Sequence, residues 1–328
     1  MAKRVLSGIR ASGRLHLGNY LGAVKGMIEL QNNPEYETFY MVADLHAITT
    51  PYSPEALKKN RIEVVIDYLA AGLNPEKSVI FIQSDISAHT ELAFYFSTLL
   101  TVARMRHMPT FKEKVKNQSE SASMALLNYP VLQAADILAY KAHEVPVGDD
   151  QLPHLEVARE VAKKLNDQYG LAFPEPIQFK TTGHYVPSLT GEGKMSKSVE
   201  GSFINLTDDI ETIKSRLAKV PTDTGRGELI PQTGGVATLL SLVELFQGQD
   251  KRKEFESQYT SSGIRYSELK SALADAIYNE IKPIQEKRAE LEKNPDYIKS
   301  VLDQGAQKAS HVANETLSQV REAYGFTR

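Results

Sequence analysis

Two glycine-flanked segments carry side chains suited to phosphate chemistry. Ser12-Gly13-Arg14-Leu15-His16-Leu17-Gly18-Asn19 lies between a β-branched run and an amphipathic helical pattern, where backbone amides and the helix dipole favour a phosphate. His16 and Asn19 can donate hydrogen bonds there, and Gly13 and Gly18 let backbone and ligand approach closely because no Cβ intervenes. Taken alone, the segment also reads as a glycine turn with a capping asparagine. Gly193-Lys194-Met195-Ser196-Lys197-Ser198 brings two lysines and two hydroxyls into one loop, suited to follow the charge on a leaving polyphosphate. Alone, it reads first as a solvated basic loop. Both segments, in this order across a parallel-sheet pattern, favour the phosphate reading.

The elements that must hold these segments follow from periodicity. Residues 5–9, 39–43 and 79–82 read as strands separated by helical patterns, the sequence form of βαβ units and a parallel sheet. Leu17, Leu21, Val24 and Ile28 form one apolar helical stripe. Ser53 before Pro54 caps a helix that ends near Gly72. Residues 90–167 are mostly helical, broken by Pro109, Pro130, Pro146 and Pro153, and read as an insertion between sheet halves, with a short strand at 145–147. Thr207 is expected to cap a helix carrying Ile210, Ile213 and Leu217, with little but helix after it. The expected domain boundary is near residue 206, giving domains 1–206 and 207–328.

Composition narrows the function classes. The 328 residues are 41 % hydrophobic and 24 % charged, with mean hydropathy −0.33, ordinary for a globular chain of two domains. With no cysteine, disulfides, cysteine zinc sites and thiol nucleophiles are excluded. No apolar run approaches the roughly 20 residues of a membrane-spanning helix, and the basic start Met1-Ala-Lys-Arg leads into no hydrophobic signal segment. The expectation is a cytoplasmic protein without membrane contact. A net charge of −3 and a pI near 6.3 confine any nucleic-acid contact to a local basic groove.

His16-Leu17-Gly18-Asn19 resembles the HIGH signature and Lys194 to Ser198 is a complete KMSKS signature, so the chain resembles the class I aminoacyl-tRNA synthetases. The resemblance continues through Asp44-Leu45-His46-Ala47-Ile48-Thr49, Ala134 to Tyr140, Val145-Pro146-Val147-Gly148-Asp149-Asp150-Gln151 and Gly305-Ala306, and is strongest to the bacterial tryptophanyl family. It implies an α/β fold: a Rossmann-like parallel-sheet catalytic domain and an all-helical C-terminal domain that binds the anticodon. It also implies tryptophan, ATP with its Mg2+ and tRNA(Trp) as ligands, and a homodimer. No carboxylate cluster reads as a metal cage, so the ion is expected to arrive with ATP.

In that resemblance His16, Lys194, Lys197 and Lys114 serve catalysis. Arg10, Ser12, Gly18, Asn19, Gly148, Asp150, Gln151, Met195, Ser196 and Ser198 join Lys194 and Lys197 around ATP. Leu6, His46, Tyr129, Gln133, Asp136, Val145, Val147 and Gln151 surround the amino acid, with Asp136 accepting the indole N–H and Tyr129 and Gln151 holding the amino group. A carboxylate on a helix bearing Leu132, Ala135 and Leu138 needs a donor, because burying it unpaired costs several kcal/mol. His46 reads equally as a structural histidine, and Arg104, Arg106 and Lys116 as a solvated helix face. Two departures mark a divergent branch. Gln133 stands where tryptophan enzymes carry Met, completing a tyrosine-like Y-x-x-x-Q-x-x-D pattern with Tyr129 and Asp136. Arg10-Ala11 replaces Gln-Pro, and losing the proline is expected to loosen the turn. Against tyrosine, Leu6 stands where the tyrosine family has its strand Tyr, leaving one polar partner for the ring. The rival readings are a tyrosyl-tRNA synthetase, an adenylating enzyme that never touches RNA, and a non-catalytic paralogue acting as a tRNA-binding or protein-binding regulator.

Overall fold

The computed structural model describes residues 2–109, 111, 112, 115, 123–180, 185–197 and 199–326. By internal contacts the chain forms two compact units that interleave in sequence. Residues 1–13, 27–181 and 294–328 make the first, and residues 14–26 and 182–293 the second. A single cut near 206 therefore does not separate the contact units.

The first unit is built on five parallel strands in the order β3-β2-β1-β4-β5: β1 (Lys3–Arg10), β2 (Tyr36–Ala43), β3 (Ser78–Ile82), β4 (Glu144–Pro146) and β5 (Ile177–Phe179). The strand order reverses at β1, which pairs with β2 on one side and β4 on the other, and ligands of such sheets bind at the carboxyl ends beside that reversal. The expected strands are all present; β5, only three residues long, has no sequence period from which to read it. The helix α1 (Pro54–Ala71) follows the expected grammar: Ser53 Oγ accepts from Ala56 N–H at 3.3 Å, and Gly72 closes the helix at φ 115°.

Between β3 and β4 run α2 (Ala88–Ser97), α3 (Val102–Arg106) and α4 (Met124–Ala139), with Pro130 accommodated inside α4. The helix α5 (Leu152–Tyr169) connects β4 to β5. Buried side chains from β1, β2, β3, β4 and these helices form one core containing Leu6, Phe39, Phe81, Ala134, Ala135, Tyr140 and Val145. The last helix, α6 (Pro295–Ala323), also packs here, against β3. A Cβ on Gly305 would fall 1.8 Å from the Ile80 carbonyl oxygen, so no other residue permits that approach. Burial of α6 against the sheet, not its place in sequence, puts the chain's end in this unit.

The second unit is helical: α7 (Ile210–Ala218), α8 (Gly234–Gln247), α9 (Gln249–Thr260) and α10 (Tyr266–Glu292). Asp209, not Thr207, caps α7, its Oδ1 accepting from Thr212 N–H at 2.8 Å. The residue directly before the helix is placed for that bond, and one three residues ahead of it is not. Residues 14–26 join this unit through the turn Leu17–Asn19 and a wider π-type turn at Tyr20–Val24. Such turns concentrate at functional sites.

Candidate active site

In the first unit the chemistry centres on Asp136. The spacing of Tyr129, Gln133 and Asp136 along α4 places them on one helix face. Asp136 has no exposed surface, yet four hydrogen bonds reach its carboxylate. Gln83 Nε2 donates to Oδ1 at 2.8 Å and to Oδ2 at 2.9 Å, His46 Nε2 donates to Oδ2 at 2.8 Å, and His89 Nδ1 donates to Oδ1 at 2.6 Å. Burial alone would push this carboxyl's pKa up; the hydrogen bonds from His46 and His89 outweigh it and hold the group ionised, well below the usual range. An ionised carboxylate only accepts, which fixes both imidazoles as donors toward it.

Each donor is held in turn. Gln83 Oε1 accepts from Leu45 N–H at 3.0 Å, so its amide cannot flip. His89 Nε2 lies 2.8 Å from the Tyr140 hydroxyl. Asp44, at the end of β2, accepts from Ser84 Oγ at 2.6 Å and pairs with Arg61 at 3.1 Å, tying the strand ends that carry His46 and Gln83. Tyr129 hydrogen-bonds His154 Nε2 and sets its ring edge-on to His46, 6.2 Å between centroids. Leu6 and Val145 are buried and Val147 partly so in the surrounding core, while Gln133 is half-buried. Asp136 itself is bonded by three residues, His46, Gln83 and His89. Beyond it, Gln151 Nε2 donates to Asp150 Oδ2 at 2.7 Å, and a Cβ on Gly148 would meet Asp150 Oδ1 at 2.7 Å. Asp150 folds back over its own turn.

The second unit holds residues 14–19 of the first glycine-flanked segment and the lysine loop. Asn19 Oδ1 accepts from His16 N–H at 3.2 Å, which leaves the Nδ2 end of that amide as a donor. His16 is buried, and its Nδ1 has no hydrogen-bond partner among the described residues. Desolvation, with the positive charges of Lys197 and Lys194, lowers its pKa to about 4, so the ring is neutral at pH 7. A Cβ on Gly18 would come within 2.8 Å of His16 Cε1 and 3.3 Å of Met195 Cβ; glycine is what lets the ring lie against the backbone here.

The lysine loop is pinned at its base. Met195 is buried and its N–H donates to Val186 O at 3.0 Å; Ser196 N–H reaches Ser202 Oγ at 3.2 Å, and that hydroxyl donates back to the Ser196 carbonyl. A Cβ on Gly191 would meet Gly235 N at 2.7 Å, which seats the loop on the first turn of α8. Lys194 is exposed and Lys197 half-exposed. Lys114, Lys116 and Ser198 lie outside the described residues. Arg10 and Ser12 are exposed at the end of β1. At Ala11, where the expected turn lacks its proline, the residue is buried and its N–H, which proline lacks, faces the Ala43 carbonyl at 3.5 Å. Arg104 pairs with Glu160 of α5 at 3.2 Å.

The family model for tRNA synthetases class I (W and Y) matches residues 2–281. The chain belongs to this family. A tryptophan–tRNA ligase of Clostridium tetani is 40 % identical over 99 % of this chain and 96 % of its own length. A tryptophanyl-tRNA synthetase of Campylobacter jejuni, in complex with ADP and tryptophan, superposes with a TM-score of 0.85 at 33 % identity, covering 98 % of this chain and 99 % of that one. The Mycoplasma pneumoniae enzyme gives 0.86 at 32 % identity over 100 % and 99 %. The protein is thus a class I aminoacyl-tRNA ligase, and sequence reasoning missed three members of its buried network. Gln83 was legible as a polar residue at the carboxyl end of a strand. His89 and Tyr140 had no such signal, since only the fold brings them to Asp136.

Proposed function

We propose that this class I synthetase activates tryptophan with ATP and transfers it to tRNA(Trp). The observation that carries the reading is full-length similarity to tryptophan–tRNA ligases around an ionised, buried carboxylate. A carboxylate oxygen of tryptophan attacks the α-phosphorus of ATP, and the bond to the bridging oxygen breaks to release pyrophosphate. The tRNA's terminal ribose hydroxyl then attacks the aminoacyl carbonyl and AMP leaves. Positioning and charge neutralisation supply most of the acceleration.

Asp136 accepts the indole N–H, between walls formed by Leu6, Val145 and Val147, and His46 and Gln133 complete the pocket. Tyr129 and Gln151 hold the amino group. His16, neutral, and the Asn19 amide donate to phosphate oxygens, and Gly18 lets them approach. Lys194, Ser196 and Lys197, with Lys114 and Ser198, follow the departing pyrophosphate, while Met195 anchors their loop. Arg10, Ser12, Gly148 and Asp150 contact the nucleotide. Mg2+ enters with the nucleotide as part of the substrate; among the described residues no group of three His, Asp or Glu is arranged to hold a metal. Among them, too, no helix is long and apolar enough to cross a membrane, and a cytoplasmic homodimer fits the family. Residues 207–293 are the proposed anticodon-reading part.

Amino-acid-dependent ATP–pyrophosphate exchange tests the reading. Exchange that requires tryptophan, followed by charging of tRNA(Trp), is expected. Exchange with tyrosine alone would give the tyrosine specificity instead, and none with either would make the chain a binding module.

A further inference from the structure

We propose that His89 and Tyr140 are positioning residues that hold Asp136 as an aimed, unprotonated acceptor for the ring N–H of the amino acid. This rests on the reading of Asp136 given above and extends it to residues that cannot touch the ligand.

His89 is completely buried, on the first turn of α2; Tyr140, also completely buried, follows the last residue of α4. His89 spans the gap between Asp136 Oδ1 at 2.6 Å and the Tyr140 hydroxyl at 2.8 Å. The Tyr140 ring stacks on Phe39 at 4.7 Å and packs against Phe81 at 5.5 Å, which leaves its hydroxyl little freedom to turn elsewhere. Burial holds that hydroxyl protonated, its pKa raised well above the usual value. The Tyr140 hydroxyl lies where it can donate to His89 Nε2, an arrangement that leaves the ring's N–H on Nδ1, toward Asp136. The tautomer that points N–H at Asp136 is thereby selected from the far side of the ring, as a third group orients the base in a catalytic triad.

The arrangement matters because Asp136 must keep an acceptor for the ligand. The groups facing it are His46 from the turn after β2, Gln83 after β3 and His89 from α2, with Tyr140 behind His89; no Lys or Arg pairs with it among the described residues. His46, with 10 % of its side chain exposed, is the one donor reached by solvent, whereas His89 has none. A ligand N–H can replace the His46 bond while Gln83 and His89 keep the carboxylate ionised and in place.

The test is exchange with whichever amino acid the wild type uses, so that a wrong substrate assignment shows in the wild type and a wrong positioning assignment only in the variants. For Tyr140→Phe, which removes one oxygen and keeps the ring packing, KM for the amino acid is expected to rise about tenfold, with KM for ATP unchanged. His89→Leu should raise it further and bring an acid limb into the pH profile of kcat/KM for the amino acid, because a buried carboxyl short of a donor protonates more readily. His89→Asn, whose amide nitrogen can occupy the Nδ1 position, should recover most of the loss. An unchanged KM and pH profile in both Tyr140→Phe and His89→Leu overturns the proposal. So does equal damage to KM for ATP, or no recovery in His89→Asn, either of which marks a purely structural role.

Discussion

Asp136 and His16 are both buried polar groups at the heart of their units, and they are satisfied in opposite ways. Asp136 receives four hydrogen bonds from three side chains and is held charged. His16 is held neutral beside two lysines, and its Nδ1 lacks a partner among the described residues. The first is a finished site, in which a ligand must replace a bond already made. The second is an unfinished one, in which charge and hydrogen-bonding capacity wait for a group the protein does not supply. A finished site suits discrimination, since a wrong ligand leaves a buried group unpaired; an unfinished one suits stabilisation of charge that exists only during reaction.

If the contrast holds, damage to the finished site should cost stability as well as activity. Asp136→Ala leaves the His46, Gln83 and His89 donors buried without their acceptor, and about 3–5 kcal/mol of stability should be lost, as for removal of one partner of a buried charge pair. The kcat/KM for tryptophan should fall roughly 100-fold or more. Denaturant unfolding and pyrophosphate exchange on one preparation measure both; a variant that loses activity at full stability would deny that the network holds the fold.

Lys197→Ala is the counterpart in the unfinished site. The side chain is half-exposed and its charge acts on a phosphate that comes and goes. We expect kcat to fall about 100-fold, with KM for tryptophan and the unfolding midpoint nearly unchanged. A comparable loss of stability would make Lys197 a structural cation.

Gly18→Ala sharpens the same site by geometry alone. The added Cβ would overlap the His16 ring at 2.8 Å, so the ring must shift, at a cost of about 1–3 kcal/mol. A KM for ATP raised about tenfold, with tryptophan binding intact by calorimetry, is the expected pattern. Unaltered ATP kinetics would show that the ring's position is immaterial.

The two regions were unequally legible in sequence, for a physical reason. The phosphate loops are local: His16, Gly18 and Asn19 lie within four positions, as do Lys194 and Lys197, so their chemistry sits in one stretch of chain. The acceptor site is assembled by the sheet. Asp136 was visible as a carboxylate on an apolar helix, but its donors come from residues 46, 83 and 89 on three other elements. Periodicity locates each element and says nothing of which end residues converge. Likewise, α6 reads as one more helix after residue 207, and only the contact of Gly305 with Ile80 returns it to the sheet. Thr207 was the expected cap, and the structure gives that place to Asp209, the residue directly before the helix.

Acid separates the two regions with the smallest perturbation. His16 has a folded pKa of about 4 against an ordinary 6.5, so between those values the unfolded chain binds a proton that the folded chain does not. Stability therefore rises with pH across that window and falls as acid is added through it. Asp136 responds with the same sign but in a lower window. Its folded pKa lies below the ordinary 3.8, so its contribution stays intact above that value and is lost only on further acidification. The unfinished site should weaken first. Unfolding midpoints measured from pH 7 to 4 should fall more steeply for the wild type than for His16→Gln, which cannot titrate there. Asp136→Asn, compared over the same range, should shift the curve without changing its slope. Parallel curves for wild type and His16→Gln would mean that the lysine loop and burial do not set the charge of His16.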